Sequence, residues 1–485
     1  MTDPIEGLKP ELVWKYFAEI SRIPRGSKNE AAISKYVYET AGKLGLKAKR
    51  DAVGNVVVTK PASPNKRNSR PFCLQGHLDM VCEKNSDKVH DFAKDPIRLV
   101  RKGNMLMADG TTLGADNGIG VATNLAIMED KSLEHGALEL LFTIDEETGL
   151  TGANNLAGDF LESKTLMNLD SEEEGVLYVG CAGGKDTLAS WKAEFEAAPA
   201  GTACVALKVS GLRGGHSGVD IAAGRGNAIK IAGRLLMRLA ALGGRLASID
   251  GGSKRNAIPR ECEAVVFIPK AKLDEAKRLA AEHHATVRAE FAAVEEGLAV
   301  ALIETAQPKS GKVFKEALQK RLLQTISALP HGVIKMSPDI PGLVETSTNV
   351  ASITTTDAAI TMATSQRSSA ASEIEEIAQT VACVFELGSA DVKQSDGYPG
   401  WKPNLGSPVL KLASDTYKSL FGKAPEVKAI HAGLECGLIG ERFPGMDMIS
   451  FGPTLEAVHS PDERIHIDSV EKYWKFLLAL LKAAN

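Results

Sequence analysis

The sequence lacks three features that would assign it to common protein classes: a run of about 18 apolar residues, a basic n-region at its start, and an excess of basic charge. Without the apolar run, no transmembrane helix is expected. Its first residues, "MTDPIEGLKPELVWKYF", hold no basic segment followed by an apolar core, so no secretory signal is predicted. The net charge of −4 leaves no basic surface for nucleic acid. We therefore expect neither a membrane nor nucleic acid as a partner.

The spacing of the cysteines does not indicate a disulfide framework. The seven cysteines are odd in number, scattered along the chain and free of CxxC spacing. This usage is typical of reduced thiols in the cytoplasm. We therefore predict a cytoplasmic location. The cysteines are Cys73, Cys82, Cys181, Cys204, Cys262, Cys383 and Cys436.

Nucleotide-binding and serine-nucleophile motifs are missing too. The stretch "GCAGGK", residues 180–185, lacks the spacing and the final Ser or Thr of a phosphate loop. The stretch "GLRGGHSG" does not follow the dinucleotide fingerprint with a downstream acid. No GxSxG nucleophile elbow is present.

The order of patterns along the 485 residues predicts two domains. Helical and strand-like segments alternate at first, which favours an α/β domain with a mixed, largely parallel sheet. From about residue 187 the pattern changes to longer strands and charged helices, and the alternation returns after 394. We predict one discontinuous α/β domain, residues 1–186 and 395–485, with an inserted α+β domain at 187–394.

Five segments place histidine or acidic residues just after apolar, strand-like runs. In proteins with open parallel sheets, small molecules and ions bind beyond the carboxyl ends of the strands. Side chains from several strand ends can therefore converge on one binding site. A cluster of carboxylates without a cation would repel itself. The segments are "LQGHLDM" with His77 and Asp79, "TTLGADNGIG" with Asp116, "LLFTIDEETG" with Asp145, Glu146 and Glu147, "LMNLDSEEEG" with Asp170, and "EAVHSPDERI" with His459.

A pair of divalent metal ions resolves this repulsion. Imidazole and carboxylate ligands suit Zn²⁺, with Co²⁺ or Mn²⁺ as alternatives, and the absence of cysteine argues against a closed structural zinc site. Two such ions can share a water and lower its pKa toward about 7. The base that accepts its proton must not be a ligand. Spacing alone does not decide which carboxylate of "DEET" binds metal and which is the base.

Several of these residues have a simpler interpretation when taken singly. One acid at a strand end is usually a solvated turn residue, and the run Glu172–Glu174 is expected to be solvated. His283 and His284 lie in a charged helical segment and are expected to be structural. The metal hypothesis therefore depends on the joint pattern.

Taken together, "QGHLDMV", "GADNGIG", "DEETG", "NLDSEE" and "AVHSPDERI" resemble the motifs of the M20 metallopeptidases. The length, the large insertion, "GGHSGVDI" and "HAGLECG" are similar to the members of that family that cleave Xaa-His dipeptides. The resemblance runs from about residue 8 to the end. It implies a discontinuous zinc-peptidase domain with an inserted lid.

The resemblance also implies site residues. Glu146 would be the general base, and Asp79 would orient a metal-binding imidazole by accepting from its other nitrogen. Two residues apart in an extended chain, His77 and Asp79 face the same way. The implied metal ligands are His77 and Asp170 for one ion, Glu147 and His459 for the other, and Asp116 for both.

Three residues of the insertion, together with Gly433, resemble substrate contacts of the family. His216 would stabilise the oxyanion, and Arg367 would bind the substrate's C-terminal carboxylate with two hydrogen bonds, favouring dipeptides over long chains. Asn256 and Gly433 would contact the ends of the substrate. The family also implies a homodimer.

The expected activity is hydrolysis of dipeptides, preferentially Xaa-His and also Cys-Gly. Two alternatives stay open at this point. One is an N-acyl amino acid deacylase or desuccinylase of the same family, which only the pocket lining would distinguish. The other is a metal-stabilised binding protein without turnover, against which Glu146 and Asp79 argue, because a purely structural site needs neither.

Overall fold

The structure is a computed structural model that describes residues 3–308 and 310–484. The chain divides into two compact units. The first comprises the chain up to residue 181, residues 401–429, and the chain from residue 434 onward. The second comprises residues 182–400 and 430–433, so it interrupts the first along the sequence. The predicted boundary positions 187 and 394 both lie inside this second unit.

The first stretch of the chain alternates helices and strands, as its apolar periodicity predicts. A short 3₁₀ turn, Pro64–Lys66, precedes the third strand. The elements are α1 Glu11–Ile20, α2 Ala31–Lys43, β1 Lys47–Arg50, β2 Val56–Lys60, β3 Phe72–His77, β4 Leu99–Lys102, β5 Met105–Ala108, α3 Ala115–Glu129, β6 Leu138–Thr143, α4 Glu146–Gly149, α5 Thr151–Asn154, β7 Thr165–Asn168 and β8 Val176–Cys181.

The inserted stretch has longer strands, two 3₁₀ turns (Ile221–Ala223 and Lys270–Lys272) and four helices of 13 residues or more. Its elements are β9 Gly183–Lys192, β10 Phe195–Ala197, β11 Thr202–Ser210, β12 Gly215–His216, α6 Ala228–Ala241, β13 Arg245–Gly251, β14 Ala257–Ile258, β15 Cys262–Pro269, α7 Leu273–Glu290, β16 Ala299–Glu304, β17 Lys312–Phe314, α8 Glu316–Ala328, β18 Gly332–Met336, β19 Val344–Thr355, β20 Ala359–Ser368, α9 Ala371–Leu387 and β21 Asp391–Gln394.

The final stretch returns to short alternating elements. Ser407 caps its first helix by accepting from the Leu410 amide, and Pro408 follows at the first helical position, where its missing N–H costs nothing. The elements are α10 Pro408–Phe421, β22 Glu426–Ile430, α11 Glu435–Arg442, β23 Asp447–Ser450, β24 Leu455–Glu456, β25 Arg464–His466 and α12 Ile467–Ala483.

The main sheet of the first unit has eight strands in the order β1-β2-β6-β3-β7-β23-β8-β22. Its four central strands, β6, β3, β7 and β23, are parallel, and antiparallel strands flank them. This confirms the predicted mixed sheet. Strands β3, β6 and β7 are buried along their whole length, which explains why their sequences are mostly apolar.

The register of the central strands determines where the polar segments emerge. His77 is paired with Thr143, and Gln75 with Asn168. The carboxyl ends of β3, β6 and β7 therefore lie side by side at one edge of the sheet. His77 is the last residue of β3, and the segments after the three strands hold Asp79, Asp145, Glu146, Glu147 and Asp170.

The second unit is built on a nine-stranded sheet in the order β16-β11-β15-β13-β19-β20-β9-β21, with β18 paired to β19. Its described strand pairs are antiparallel. A continuous apolar core that includes Trp191, Phe314 and Phe385 joins its strands and helices. Within residues 3–308 and 310–484, no helix is long and apolar enough to cross a membrane. All seven cysteines are free thiols.

Candidate metal centre and active site

The five predicted metal ligands come from five separate segments of the first unit. His77 is the last residue of β3, and Glu147 lies in α4 just after β6. Asp170 follows β7 by two residues, and Asp116 lies at the start of α3. His459 lies in the loop between β24 and β25 and has a positive φ of 60°.

The structure brings these five side chains together around Asp116. One oxygen of Asp116, Oδ1, lies 3.1 Å from Nε2 of His77, and the other, Oδ2, lies 3.1 Å from Nε2 of His459. The His77 nitrogen is 3.3 Å from Asp170 Oδ1, and the His459 nitrogen is 3.0 Å from Glu147 Oε2. Two ligand groups result, His77–Asp116–Asp170 and Asp116–Glu147–His459, each with its ligand atoms within 4.8 Å of one another.

Unsatisfied buried oxygens show that this arrangement fits a cation. Glu147 Oε1 and Asp170 Oδ1 are buried and have no hydrogen-bond partner among the described residues. Such groups are costly in a folded protein unless something compensates them. The donor set of imidazole nitrogen and carboxylate oxygen matches Zn²⁺ and related divalent ions. The residues present therefore fit a pair of divalent metal ions that share Asp116.

The ionisation of the cluster is strongly perturbed. Burial, reinforced by the neighbouring carboxylates, raises the pKa of Asp170 to about 7. Hydrogen bonds to Asp116 and Glu147 raise the pKa of His459 to about 11. Burial lowers the pKa of His77, but the surrounding carboxylates outweigh it and raise that pKa well above its usual value. These pKa shifts follow from the negative charge of the carboxylates that lie close together at this site.

A second acidic group, Glu30, Asp79 and Asp145, lies close by but has different surroundings. Asp79 accepts hydrogen bonds from Ser27 and from the amides of Glu146 and Glu147, and Glu30 accepts from the Asp145 amide. Because protein donors already satisfy these carboxylates, this group holds the loop after β6 and does not resemble a metal site.

Asp79 also faces the first histidine ligand. Its Oδ1 lies 3.3 Å from Nδ1 of His77, the ring nitrogen on the side away from Asp116. Burial opposes ionisation, but hydrogen bonds from His77, Glu146 and Ser27 lower the pKa of Asp79 to about 2. Asp79 is therefore an ionised carboxylate placed between the His77 ring and the start of α4.

Glu146 differs from its neighbour Glu147 in its surroundings. Glu146, Glu147 and His77 form one group, in which the potential ligand atoms of the three side chains lie within 4.8 Å of one another. Among the described residues the Glu146 carboxylate has no hydrogen-bond partner, and burial raises its pKa well above the usual value. A carboxylate with a raised pKa and no fixed partner is suited to accepting and returning a proton.

Sequence reasoning missed a buried polar network behind the ligands. Glu435 of α11 accepts hydrogen bonds from Gln75 Nε2 at 2.5 Å and Thr143 Oγ1 at 2.7 Å, and Gln75 accepts from Asn168 Nδ2 at 2.6 Å. Ser450 of β23 donates to the same asparagine. The sequence does hold one signal of this network. Gln75 and Asn168 are polar residues on otherwise apolar strands, and each lies two positions before a predicted metal ligand, His77 or Asp170.

In the second unit, His216 has a defined protonation pattern. Its Nδ1 accepts from the amides of Gly218 at 3.2 Å and Val219 at 3.1 Å, so the proton of the neutral ring is on Nε2. Burial, with a contribution from Arg367, lowers the pKa of His216 to about 4. Near neutral pH this ring is an uncharged N–H donor.

Arg367 is buried without a carboxylate partner. Its guanidinium lies 3.0 Å from the Tyr398 hydroxyl, 3.4 Å from Ser217 Oγ and 3.4 Å from His216 Nε2. No acidic side chain of residues 3–308 or 310–484 forms an ion pair with it. Buried guanidinium groups are normally paired, so this one is suited to an anionic ligand.

The other two predicted substrate residues differ in their surroundings. Gly433 lies against Tyr398, and a Cβ at this position would be 2.9 Å from the ring, so only glycine fits. Asn256 accepts a hydrogen bond from the Ser217 amide through its backbone oxygen. Its side chain is exposed and has no hydrogen-bond partner among the described residues. The structure thus places Arg367 and Gly433 against Tyr398 and His216 against Arg367, whereas the Asn256 side chain lies in solvent.

The remaining acidic run and histidine pair have clear environments. Glu173 is exposed and pairs with Lys428, as expected for a solvated run, but Glu172 is half-buried and burial raises its pKa to about 8. His283 is buried with Nε2 3.0 Å from the Ile231 carbonyl, and His284 Nδ1 accepts from the Val300 amide. Both histidines are structural.

The partly buried His331 of the second unit predicts a stability effect at mildly acidic pH. Burial lowers the pKa of His331 from 6.5 to about 4. Below pH 6.5 the unfolded chain therefore binds a proton that the folded chain does not, and stability falls as the pH decreases toward 4. When the pH is lowered from 7.5 to 5.5, we expect the free energy of unfolding to fall by about 1 kcal/mol less in His331→Gln than in wild type. Urea unfolding at both pH values measures this difference, and equal losses would contradict it.

Comparisons with known proteins identify the family of this chain. The model of peptidase family M20/M25/M40 matches residues 73–483, and the chain belongs to this family. It is 43% identical over 476 residues to the cytosol non-specific dipeptidase of Escherichia coli strain K12, covering 98% of both chains. It matches the crystal structure of aminoacylhistidine dipeptidase from Vibrio alginolyticus with a TM-score of 0.92 and 42% identity, covering 100% of this chain and 99% of that one. The predicted family is therefore confirmed.

Proposed function

We propose that this protein is a metal-dependent dipeptidase that prefers Xaa-His substrates and also accepts Cys-Gly. The observation that carries the proposal is the pair of ligand groups that share Asp116. The names of the Escherichia coli and Vibrio alginolyticus relatives support dipeptides as the substrate class. We also propose a cytoplasmic location, in line with the name of the Escherichia coli relative, and a homodimer.

The metal-binding roles follow the geometry of the two groups. His77 and Asp170 would hold one ion, Glu147 and His459 the other, and Asp116 both. We propose Zn²⁺, with Co²⁺ or Mn²⁺ as substitutes that the same ligands accept. When bound, such ions supply Lewis acidity, which lowers the pKa of water and polarises a carbonyl group.

Glu146 moves the proton in the proposed reaction. Its carboxylate has no partner among the described residues, so it can accept a proton from the attacking water. The proton then passes from Glu146 to the amine of the leaving amino acid, which departs as a neutral group. The Asp79 carboxylate lies 3.3 Å from His77 Nδ1 and accepts from two backbone amides at the start of α4. We therefore assign it the role of orienting the His77 ring and the segment that carries Glu146.

The second unit supplies groups for binding the substrate. His216 presents a neutral Nε2–H, which can donate to the oxygen of the scissile carbonyl as negative charge develops there. The unpaired guanidinium of Arg367 would bind the C-terminal carboxylate of a dipeptide. A longer peptide has no carboxylate at that position, which limits the substrate length. We propose that this unit acts as a lid that excludes water.

A panel of purified substrates tests the proposal. Dipeptides ending in histidine, other dipeptides, tripeptides and N-acyl amino acids are assayed with the same metal-loaded preparation. We expect the highest kcat/KM for Xaa-His dipeptides and little cleavage of tripeptides. Cleavage of N-acyl amino acids alone would instead favour a deacylase, and no turnover of any substrate would favour a binding protein.

Chelation should abolish activity and lower thermal stability together. Removing the cations leaves the carboxylates of Asp116, Glu147 and Asp170 close to one another without compensation, so the folded state loses the stabilisation given by ligand binding. We expect the unfolding temperature to fall on dialysis against EDTA and to recover with added Zn²⁺. A protein that keeps full activity at a metal content below one-tenth of an equivalent would contradict the metal-dependent reaction.

A further inference from the structure

A single buried carboxylate holds the segment that carries Asp116. Glu463 Oε2 accepts from the amides of Leu113 at 2.7 Å and Gly114 at 2.9 Å. Its Oε1 accepts from the amides of Ala115 at 2.7 Å and Asp116 at 3.2 Å. Four successive amides therefore converge on one side chain, which is only 2% exposed.

These amides need an external partner because of their place in the chain. The first N–H groups of a helix have no intrahelical acceptor, and a negative charge there is favourable. Gly114, which precedes α3, has no side chain to cap it. Asp116 also departs from helical geometry, with φ −77° and ψ 115°. Its backbone position therefore depends on the hydrogen bonds that the amides of this segment donate to Glu463.

A buried arginine holds the same segment from another side. Arg25 Nη1 donates to the carbonyls of Leu78 at 3.0 Å and Asp79 at 2.9 Å, and Nη2 donates to the carbonyl of Gly114. A Cβ on Gly114 would lie 2.6 Å from Nη2, and one on Gly118 would lie 2.5 Å from it. The two glycines of "GADNG" thus leave the space that the guanidinium fills.

Together these two side chains connect three ligand-bearing segments. Arg25 joins the residues directly after His77 to the turn directly before Asp116. Glu463 lies four residues after His459 and holds the same turn. The oxygens of Asp116 lie 3.1 Å from both histidines, so a small movement of this turn changes both ligand groups.

We propose that Arg25 and Glu463 are positioning residues that set the placement of Asp116 between His77 and His459, and thereby the affinity and geometry of both metal sites. This inference rests on the proposed metal-dependent function. Neither side chain belongs to a ligand group itself. Residues that orient metal ligands typically change metal affinity by about 10- to 100-fold when they are replaced.

Binding of Co²⁺ to the metal-free full chain tests the proposal. Glu463→Gln keeps the size of the side chain but replaces one acceptor oxygen by an NH₂ group that faces backbone amides. Arg25→Lys keeps the charge but cannot reach three carbonyls in the same plane. The matched control is Glu456→Gln, since Glu456 lies in β24 and pairs with Arg464 and His466. Dissociation constants, the visible spectrum of bound Co²⁺, and kcat and KM are measured for all four proteins.

We expect both variants to bind Co²⁺ about 10- to 100-fold more weakly than wild type and to show an altered Co²⁺ spectrum, with kcat lowered more than KM is raised. The control should match wild type. Wild-type affinity and spectrum in Arg25→Lys, or in Glu463→Gln, would overturn the proposal, as would a loss of folding stability with an unchanged spectrum. If Glu463→Gln does not fold, Arg25→Lys decides the question. A wild-type chain that binds no Co²⁺ would overturn the proposed metal centre instead.

Discussion

Replacing Glu146 by glutamine should lower kcat by about 10²- to 10⁴-fold while two equivalents of metal remain bound. The amide has nearly the shape of the carboxylate but cannot accept a proton from water. The Glu146 carboxylate has no hydrogen-bond partner among the described residues, so changing it to an amide breaks no side-chain contact. Steady-state kinetics on an Xaa-His dipeptide, combined with metal analysis of the same sample, measures the effect.

The neighbouring Glu147→Gln variant provides the control for this experiment. Glu147 Oε2 lies 3.0 Å from His459 Nε2 and belongs to the second ligand group. Its replacement should therefore reduce metal content, and excess metal should restore part of the activity. Excess metal should not restore Glu146→Gln. Undiminished hydrolysis by metal-loaded Glu146→Gln would show that another group accepts the proton.

Replacing Arg367 by methionine should raise KM for dipeptides by about 100-fold or more. Methionine removes the charge but keeps much of the apolar volume, and the loss of a charge-assisted bidentate contact in a buried site costs several kcal/mol. Arg367 is 6% exposed and has no ion-pair partner among the described residues. Its charge is therefore available for a carboxylate of the substrate.

Dipeptide amides give the internal control for Arg367→Met. An amide lacks the C-terminal negative charge, so wild type should bind it poorly and the variant should bind it about as well as the free acid. Arg234→Met is a matched surface control, because Arg234 is half exposed and pairs with Glu290. An equal rise in KM for the acid and the amide would contradict a contact between Arg367 and the carboxylate.

The strands that carry the ligands could be predicted because their pattern is local. Strands β3, β6 and β7 are mostly apolar, and each ends in a histidine or is followed within a few residues by an acid. Parallel pairing then brings their ends to one edge. His77, Glu147 and Asp170 were found in this way, and the division of roles within "DEET" came from the resemblance to a family.

Other parts of the structure depend on pairing over long stretches of sequence and leave no local signal. Met107 of β5 is paired with Arg464 of β25, in a four-stranded sheet of short strands that the periodicity does not reveal. Glu463 holds amides some 350 residues before it, and Arg25 donates to carbonyls more than 50 residues after it. A single charged residue has the same sequence appearance whether it is solvated or buried among amides, so such partners emerge only from the folded structure.

Diffraction at the zinc absorption edge from crystals of the Zn²⁺-loaded protein shows whether two metal ions bind on either side of Asp116. The arrangement of the ligands predicts two anomalous peaks about 3.5–4 Å apart, one beside His77 and Asp170 and one beside Glu147 and His459, with Asp116 between them. No peak at these residues, or His77 and His459 turned toward separate places in the crystal, would contradict the account.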